Sequence, residues 1–200
     1  VVSGGPLLQL QICLTIDPSA TVGVPLDVSL TPVYQFGDTA TGDNGPIVGT
    51  TVVSPVVPTV IEFDKTNNAP EAERPPGASW PYTYTLNVDI ANTAVINPIQ
   101  ITDVLPPNVQ FVGPVSIVGG VGCSVTSTPS TITPGGSLGV SCTGNTTGTT
   151  AGNDIVVSYD VFITDILDET NCGTTLLTKN ATIDSTYVPV GGPQPLPQLA

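Results

Sequence analysis

The sequence lacks histidine and methionine altogether and has only three basic residues among its 200. Without histidine, the usual base of hydrolytic triads is missing, and neither lysine stands in a Ser-x-x-Lys context, so no enzymatic activity is expected. Sixteen acidic residues give a net charge of −13. Nucleic acids and anionic lipids attract positive charge, and neither is therefore expected as a partner.

Long apolar runs and charged residues are also scarce. No run reaches the roughly 18 apolar residues typical of a membrane span, so membrane insertion is not expected. Charged residues make up 10% of the chain, against about 25% in ordinary soluble domains. The chain begins at Val1 rather than methionine, from which we expect a processed, mature form.

Strand-forming and turn-forming residues dominate what is present. Valine, isoleucine and threonine favour strands, and the 21 glycines and 21 prolines favour the turns between them. Apolar and polar residues alternate along Tyr82–Ile90 and again along Ile155–Ile163, as expected of strands with one buried face. The sequence predicts an all-β fold, an immunoglobulin-like β-sandwich with an additional N-terminal β region.

The strand pattern divides the chain into three parts. Residues 1–58 form an N-terminal β region with too few strands for an independent sandwich, residues 59–188 form the sandwich domain, and residues 189–200 form an extended, proline-rich tail. A neighbouring copy of the chain is one candidate to hold that tail. Further strands are predicted at 7–16, 26–36, 47–57, 60–63, 99–104, 109–118, 137–142 and 176–183, with a break in the sixth at Gly113-Pro114.

Four cysteines, without histidine and without CxxC pairs, favour two disulfides over a zinc site. Three pairings are open. We favour Cys123–Cys142, which would close a region rich in glycine, serine and threonine. That choice leaves Cys13–Cys172, formed within one chain or between neighbouring subunits.

Two kinds of surface site are indicated by short patterns. Sequons at Asn145 and Asn180 are candidate glycosylation sites, which suit an extracellular protein. Carboxylates at Asp165, Asp168 and Glu169 are candidate Ca²⁺ ligands, although solvated loop acids explain them more simply. No other cofactor is expected.

Four segments carry a resemblance to a known family. They are FDKT at 63–66, PG at 76–77 followed by YTYTLNV at 82–88, ITDVLPPNVQFV at 101–112, and NATI at 180–183. From about residue 62 to 187 the chain resembles domain of unknown function 11, a repeat domain of bacterial and archaeal cell-surface proteins. The resemblance implies an immunoglobulin-like sandwich in an extracellular structural or adhesive protein, with no catalytic residues.

A covalent cross-link is a further hypothesis. In sandwich domains of some surface pilins, a lysine on the first strand and an asparagine on the last form an isopeptide bond beside a buried carboxylate. Lys65 and Asn180 hold such positions here, with Asp89, Asp103 or Asp160 as the carboxylate. A lysine head that reaches solvent is the simpler alternative.

These features predict a structural subunit of an extracellular filament, similar to a pilus or fimbria. An incomplete N-terminal region could be completed by a strand donated from another copy, and residues 7–16 are the candidate donor strand. Copies of the chain would then be its main partners. The alternative is a surface adhesin or carbohydrate-binding module of a cell-wall or surface-layer protein, with glycans as partners and exposed aromatic side chains such as Trp80 as contacts.

Overall fold

The protein is all-β in the part of the chain that the computed structural model describes. The described residues are 11–17, 20–34, 46–69, 76–164 and 180–200. The chain divides into two units, Val1–Pro58 and Thr59–Ala200, called here the first unit and the second unit. All regular elements in the described ranges are β-strands, which confirms the predicted fold class.

The first unit contains an interrupted two-stranded ribbon. β1 (Leu26–Leu30) pairs antiparallel with β4 (Val52–Val56), and β2 (Val33–Tyr34) pairs antiparallel with β3 (Ile47–Val48). Each of the predicted strands 26–36 and 47–57 is therefore divided in two. The break follows Leu30, where the next residues are Thr31 and Pro32, because proline has no N–H to donate to a ladder.

The second unit has eleven strands among its described residues. They are β5 (Ile61–Asn67), β6 (Tyr82–Ile90), β7 (Val95–Leu105), β8 (Val109–Phe111), β9 (Ser116–Gly119), β10 (Cys123–Ser127), β11 (Gly136–Cys142), β12 (Thr146–Thr147), β13 (Ile155–Ile163), β14 (Ala181–Tyr187) and β15 (Gln194–Pro195). The front sheet has the order β5-β6-β13-β8, with β9 also on β13. The back sheet has the order β10-β11-β7-β14-β15, with β12 also on β7. All pairings between these strands are antiparallel.

Alternation along the central strands builds the core between the two sheets. Every second residue of β6 is buried, from Tyr82 to Ile90, and β13 repeats the pattern beside it. On the back sheet, Ile99 and Ile101 of β7 are buried and join the same core cluster. Because successive side chains of a strand point to opposite faces, one face of each sheet is apolar, and the two apolar faces pack against each other as a β-sandwich.

The strand predictions for the second unit were most accurate at its centre. Tyr82–Ile90 and Ile155–Ile163 are confirmed residue for residue. The predicted strand 99–104 is longer than expected, and 109–118 is broken near Gly113-Pro114 into β8 and β9, which both lie on the edge beside β13. The last predicted strand, 176–183, is found from Ala181 in β14, which continues to Tyr187, and its residues 176–179 lie outside the described residues.

The proline-rich tail lies beside its own chain's β14. Thr186 pairs with Pro195, and Ile183 and Leu199 exchange two backbone hydrogen bonds of 3.0 and 3.2 Å. The side chains of Leu196 and Leu199 pack partly buried against the core. A neighbouring copy is therefore not needed to hold this segment, because β14 supplies the backbone partners and the core supplies an apolar surface.

Candidate functional site

Apolar side chains of the first unit's ribbon are exposed. Leu30, Val52 and Val53 keep 48%, 64% and 53% of their accessible surface, although Leu30 and Val52 are direct partners across β1 and β4. Among the described residues of this unit, only Pro58 is buried. A two-stranded ribbon is marginally stable in water by itself, and among the described residues no third strand or second layer packs on this surface.

The predicted donor strand, residues 7–16, is covered only in part by the described residues. Residues 7–10 lie outside the described residues, and residues 11–17 have no regular structure, so the prediction of a strand there was wrong for its described part. The apolar side chains of Ile12, Leu14 and Ile16 are 53%, 64% and 42% exposed. Alternation alone does not make a strand, because the backbone also needs a neighbour to pair with.

A lysine and an aspartate meet inside the sandwich. Lys65 comes from β5 at the edge of the front sheet, and Asp103 comes from β7 in the back sheet. The Nζ atom of Lys65 lies 2.7 Å from Oδ1 of Asp103, with side-chain exposures of 3% and 0%. Each charge is thus withdrawn from water, which is costly unless the partner compensates it.

Tyrosine side chains surround this pair. Tyr159 donates a hydrogen bond from its hydroxyl to Oδ2 of Asp103, and Nζ of Lys65 lies 4.0 Å from the centre of the Tyr84 ring. Burial, and then the nearby Asp103, raise the pKa of Tyr159 above its ordinary value. The hydroxyls of Tyr82 and Tyr84 are buried without a hydrogen-bond partner among the described residues, and burial raises the pKa of both.

The alternation of inward and outward residues along β5 and β7 indicates the buried pair. Lys65 follows Ile61 and Phe63 at every second position of β5, and Asp103 stands between Ile101 and Leu105 on the buried face of β7. Inward positions of a sandwich strand usually hold apolar residues. A lysine and a carboxylate at inward positions of opposite sheets indicate that the two charges face each other across the core.

The sequence offers three candidate carboxylates beside Lys65, namely Asp89, Asp103 and Asp160. Of these, Asp103 contacts Lys65, whereas Asp160 accepts a hydrogen bond of 2.7 Å from Thr83 and is half-buried. Asn180, directly before β14, is exposed, and its backbone oxygen accepts a hydrogen bond from Val104. An isopeptide bond between Lys65 and Asn180 stays a prediction.

The favoured disulfide is present between Cys123 and Cys142. These residues are direct partners in the register of β10 and β11, and they join the edge strand of the back sheet to its neighbour. Cys13 is exposed, and Cys172 lies outside the described residues, so the second predicted disulfide stays a prediction.

The surface sites are only partly covered by the described residues. Asn145 and Asn180 are both exposed, as a glycosylated asparagine must be. The candidate Ca²⁺ ligands Asp165, Asp168 and Glu169 lie outside the described residues. Within the described ranges, no group of three or more histidine, cysteine or acidic side chains could hold a metal ion.

Few surface features favour a ligand-binding module. Trp80 is 50% exposed, whereas Tyr82 is part of the core. A shallow cleft of about 290 Å³ lies near the start of β5 and the end of β6, and Glu62 and Asp89 are among its lining residues. These two carboxylates are direct cross-strand partners, so the cleft is acidic. Among the described residues, no aromatic side chain lines it.

Comparisons with known proteins assign no family. No protein-family model matches this sequence, and no curated protein matches it either. The resemblance of residues 62–187 to a surface-protein repeat domain therefore stays a prediction. Among the described residues, no helix is long and apolar enough to cross a membrane, and the disulfide is compatible with an extracellular protein.

Proposed function

We propose that this protein is a structural subunit of an extracellular filament, assembled by strand exchange between copies of the chain. The observation that carries the proposal is the exposed apolar ribbon of the first unit, formed by β1 to β4. A soluble monomer gains nothing from apolar side chains on two paired strands that no described residue covers. A partner that adds a strand would bury these side chains and would also form hydrogen bonds with the backbone at the edge of the ribbon.

The segment 11–16 of a second copy is the proposed occupant. Its apolar side chains, Ile12, Leu14 and Ile16, stand at every second position, so they would share one face if the segment became a strand. Among the described residues, no strand pairs with this segment, which leaves it available for donation. Donation from each copy to the next is a head-to-tail contact, which gives a filament when it does not close into a ring.

The acidity of the chain is compatible with assembly through a specific strand. With a net charge of −13, free subunits repel one another at long range, so an accidental contact between them is weak. Backbone pairing and apolar burial act at short range and are little affected by salt. Assembly through a specific strand is therefore compatible with the charge, and higher salt should favour it.

Assembly can be tested with a variant of the donor face and a matched control. The variant Ile12→Ser, Leu14→Ser, Ile16→Ser removes the apolar face, whereas Gln11→Ser, Thr15→Ser changes the other face of the same segment. Sedimentation and negative-stain electron microscopy should show filaments for the wild type and the control and only monomers for the triple variant. Monomers from the unaltered protein at high concentration would sink the proposal, and a glycan-binding screen with Trp80→Ala would then address the adhesin alternative.

A further inference from the structure

We propose that Lys65 and Asp103 are joined by an intramolecular isopeptide bond, which links the two sheets of the sandwich covalently. Nζ of Lys65 lies 2.7 Å from Oδ1 of Asp103, and both side chains are almost completely buried. The two residues are held by strands of opposite sheets, so the folded core itself brings the amine and the carboxyl group together. The proposed partner of Lys65 is thus Asp103 rather than Asn180.

The contact also gives the proton a direct path. Because Nζ of Lys65 and Oδ1 of Asp103 lie within hydrogen-bond distance, a proton can pass between them without a bridging water. One proton passes from the Lys65 ammonium group to Oδ1 of Asp103. The free amine then attacks the carboxyl carbon, a new bond forms between Nζ and that carbon, and the second proton from nitrogen leaves with Oδ1 as water. No oxidant, metal or other reactant is required.

Tyr159 is placed to assist the reaction. Its hydroxyl donates a hydrogen bond to Oδ2 of Asp103, the oxygen that remains as the amide carbonyl. Negative charge develops on this oxygen when the amine attacks, and a fixed donor at that point stabilises it. Because burial keeps the Tyr159 hydroxyl protonated, the donor is available at neutral pH. Tyr159 is in this sense a positioning and stabilising residue for the cross-link.

The position of the cross-link suggests what it does. β5 is the edge strand of the front sheet and directly follows the boundary at Thr59 between the two units. A pull on the first unit would be transmitted to β5 and would peel it from β6 one hydrogen-bonded pair after another. A covalent bond from Lys65 to β7, in the interior of the back sheet, would stop that separation at Lys65.

Trypsin digestion of the reduced, denatured protein is the deciding experiment. Trypsin cuts after Lys65 and Lys179, whereas Arg74 is spared because Pro75 follows it. An unlinked chain gives fragments 1–65, 66–179 and 180–200. A bond from Lys65 to Asp103 blocks the first cut and gives 1–179, lighter by one water molecule, together with free 180–200. Cleavage after Lys179 in the same molecule shows that the protease was active.

Each other outcome overturns the proposal. Release of fragment 1–65 from the mature protein means that the pair is only an ion pair. If 180–200 stays attached and the mass deficit equals ammonia, Asn180 is the partner instead. Two variants sharpen the assignment: Asp103→Asn should still cross-link but lose ammonia in place of water, and Tyr159→Phe should slow bond formation at least tenfold. Unchanged kinetics in Tyr159→Phe would remove the assigned role of that hydroxyl.

Discussion

The two units of this chain place the same residue types in opposite environments. In the second unit, alternating valine, isoleucine, leucine and tyrosine side chains of two sheets bury one another completely, as Leu86 and Val157 do. In the first unit, Leu30 and Val52 lie opposite each other on paired strands, but both remain exposed. Alternation makes a strand amphipathic, but only a second apolar layer makes a core. The first unit has the pattern without that layer among its described residues.

The largest effect is expected where the second unit buries charge. Replacing Asp103 alone with leucine removes the proposed cross-link and leaves the Lys65 ammonium group buried without a partner, so the free energy of unfolding should fall by at least about 3–5 kcal/mol. Adding Lys65→Met removes the stranded charge and should restore part of that loss. Urea denaturation of the single and double variants measures both values. Equal stability of the two variants would mean that Lys65 reaches solvent when Asp103 is absent.

Alkali should unfold the second unit through its buried tyrosines. The pKa values of Tyr82, Tyr84 and Tyr159 are raised above the ordinary 10.0 because burial disfavours the phenolate. The unfolded chain ionises near pH 10 while the folded protein does not, so stability is constant below that pH and falls above it. Three such groups give a slope of roughly 4 kcal/mol per pH unit.

The alkaline transition is measured by circular dichroism together with phenolate absorbance. Tyr82, Tyr84 and Tyr159 are three of the five tyrosines, so three-fifths of the phenolate absorbance should appear only together with the loss of the circular dichroism signal. Replacing Tyr84 with phenylalanine removes one titration and one unpartnered hydroxyl, so it should reduce the slope without loss of stability at pH 7. Ionisation of more than two tyrosines per chain before the loss of structure would contradict the burial of these three side chains.

Matched leucine substitutions compare the two units directly. Leu86→Ala creates a cavity in the sandwich and should cost about 3 kcal/mol in unfolding free energy. Leu30→Ala, in the first unit, should change monomer stability by less than about 0.5 kcal/mol, because the side chain is half exposed. The two variants should rank differently when filament assembly is measured, because Leu30→Ala should raise the protein concentration needed to form filaments. Equal costs in the monomer would show that residues of the same chain already cover the ribbon.

The disulfide should contribute about as much as one core leucine. Cys123 and Cys142 are 19 residues apart, so the bond restricts the unfolded chain by about 3 kcal/mol. The double variant with serine at both positions should lose that amount in a denaturant titration. Thiol counting on the denatured, unreduced protein tests the second predicted pair: no free thiol is expected if Cys13 and Cys172 are joined, and two if they are not.

The smallest effect is expected at the tail. Leu199→Ser exposes a polar group at a partly buried position beside β14, so stability should fall by about 1 kcal/mol. Val190→Ser is the control, because that side chain is fully exposed and its replacement should be neutral. Thermal unfolding distinguishes the two variants. An equal response would mean that the tail does not pack on the sandwich in solution.

The sequence predicted the centre of the fold better than its edges. β6 and β13 are nine-residue strands with clean alternation and a neighbour on each side, so pattern and pairing agree. β10 and β15 were missed because short edge strands need little apolar alternation; their place is set by the partners β11 and β14. Residues 11–17 show the reverse case, in which the pattern is present but no pairing partner is found in the part of the chain that the structure describes.

The buried pair was only partly predictable for a related reason. Lys65 was singled out, and Asp103 was one of three carboxylates considered, since each lies on a predicted strand. The choice among them depends on which strands face each other across the sandwich, and alternation within one strand carries no information on that. Asn180 was favoured as partner from its place on the last strand, whereas the structure places it at an exposed position.

Cryo-electron microscopy of the assembled wild-type protein tests the central proposal most directly. We expect filaments in which residues 11–16 of one copy form a strand beside the ribbon of the next copy's first unit, with Ile12, Leu14 and Ile16 facing its apolar side chains. Filaments in which this segment pairs with its own first unit, or a preparation that contains only single chains, would contradict it.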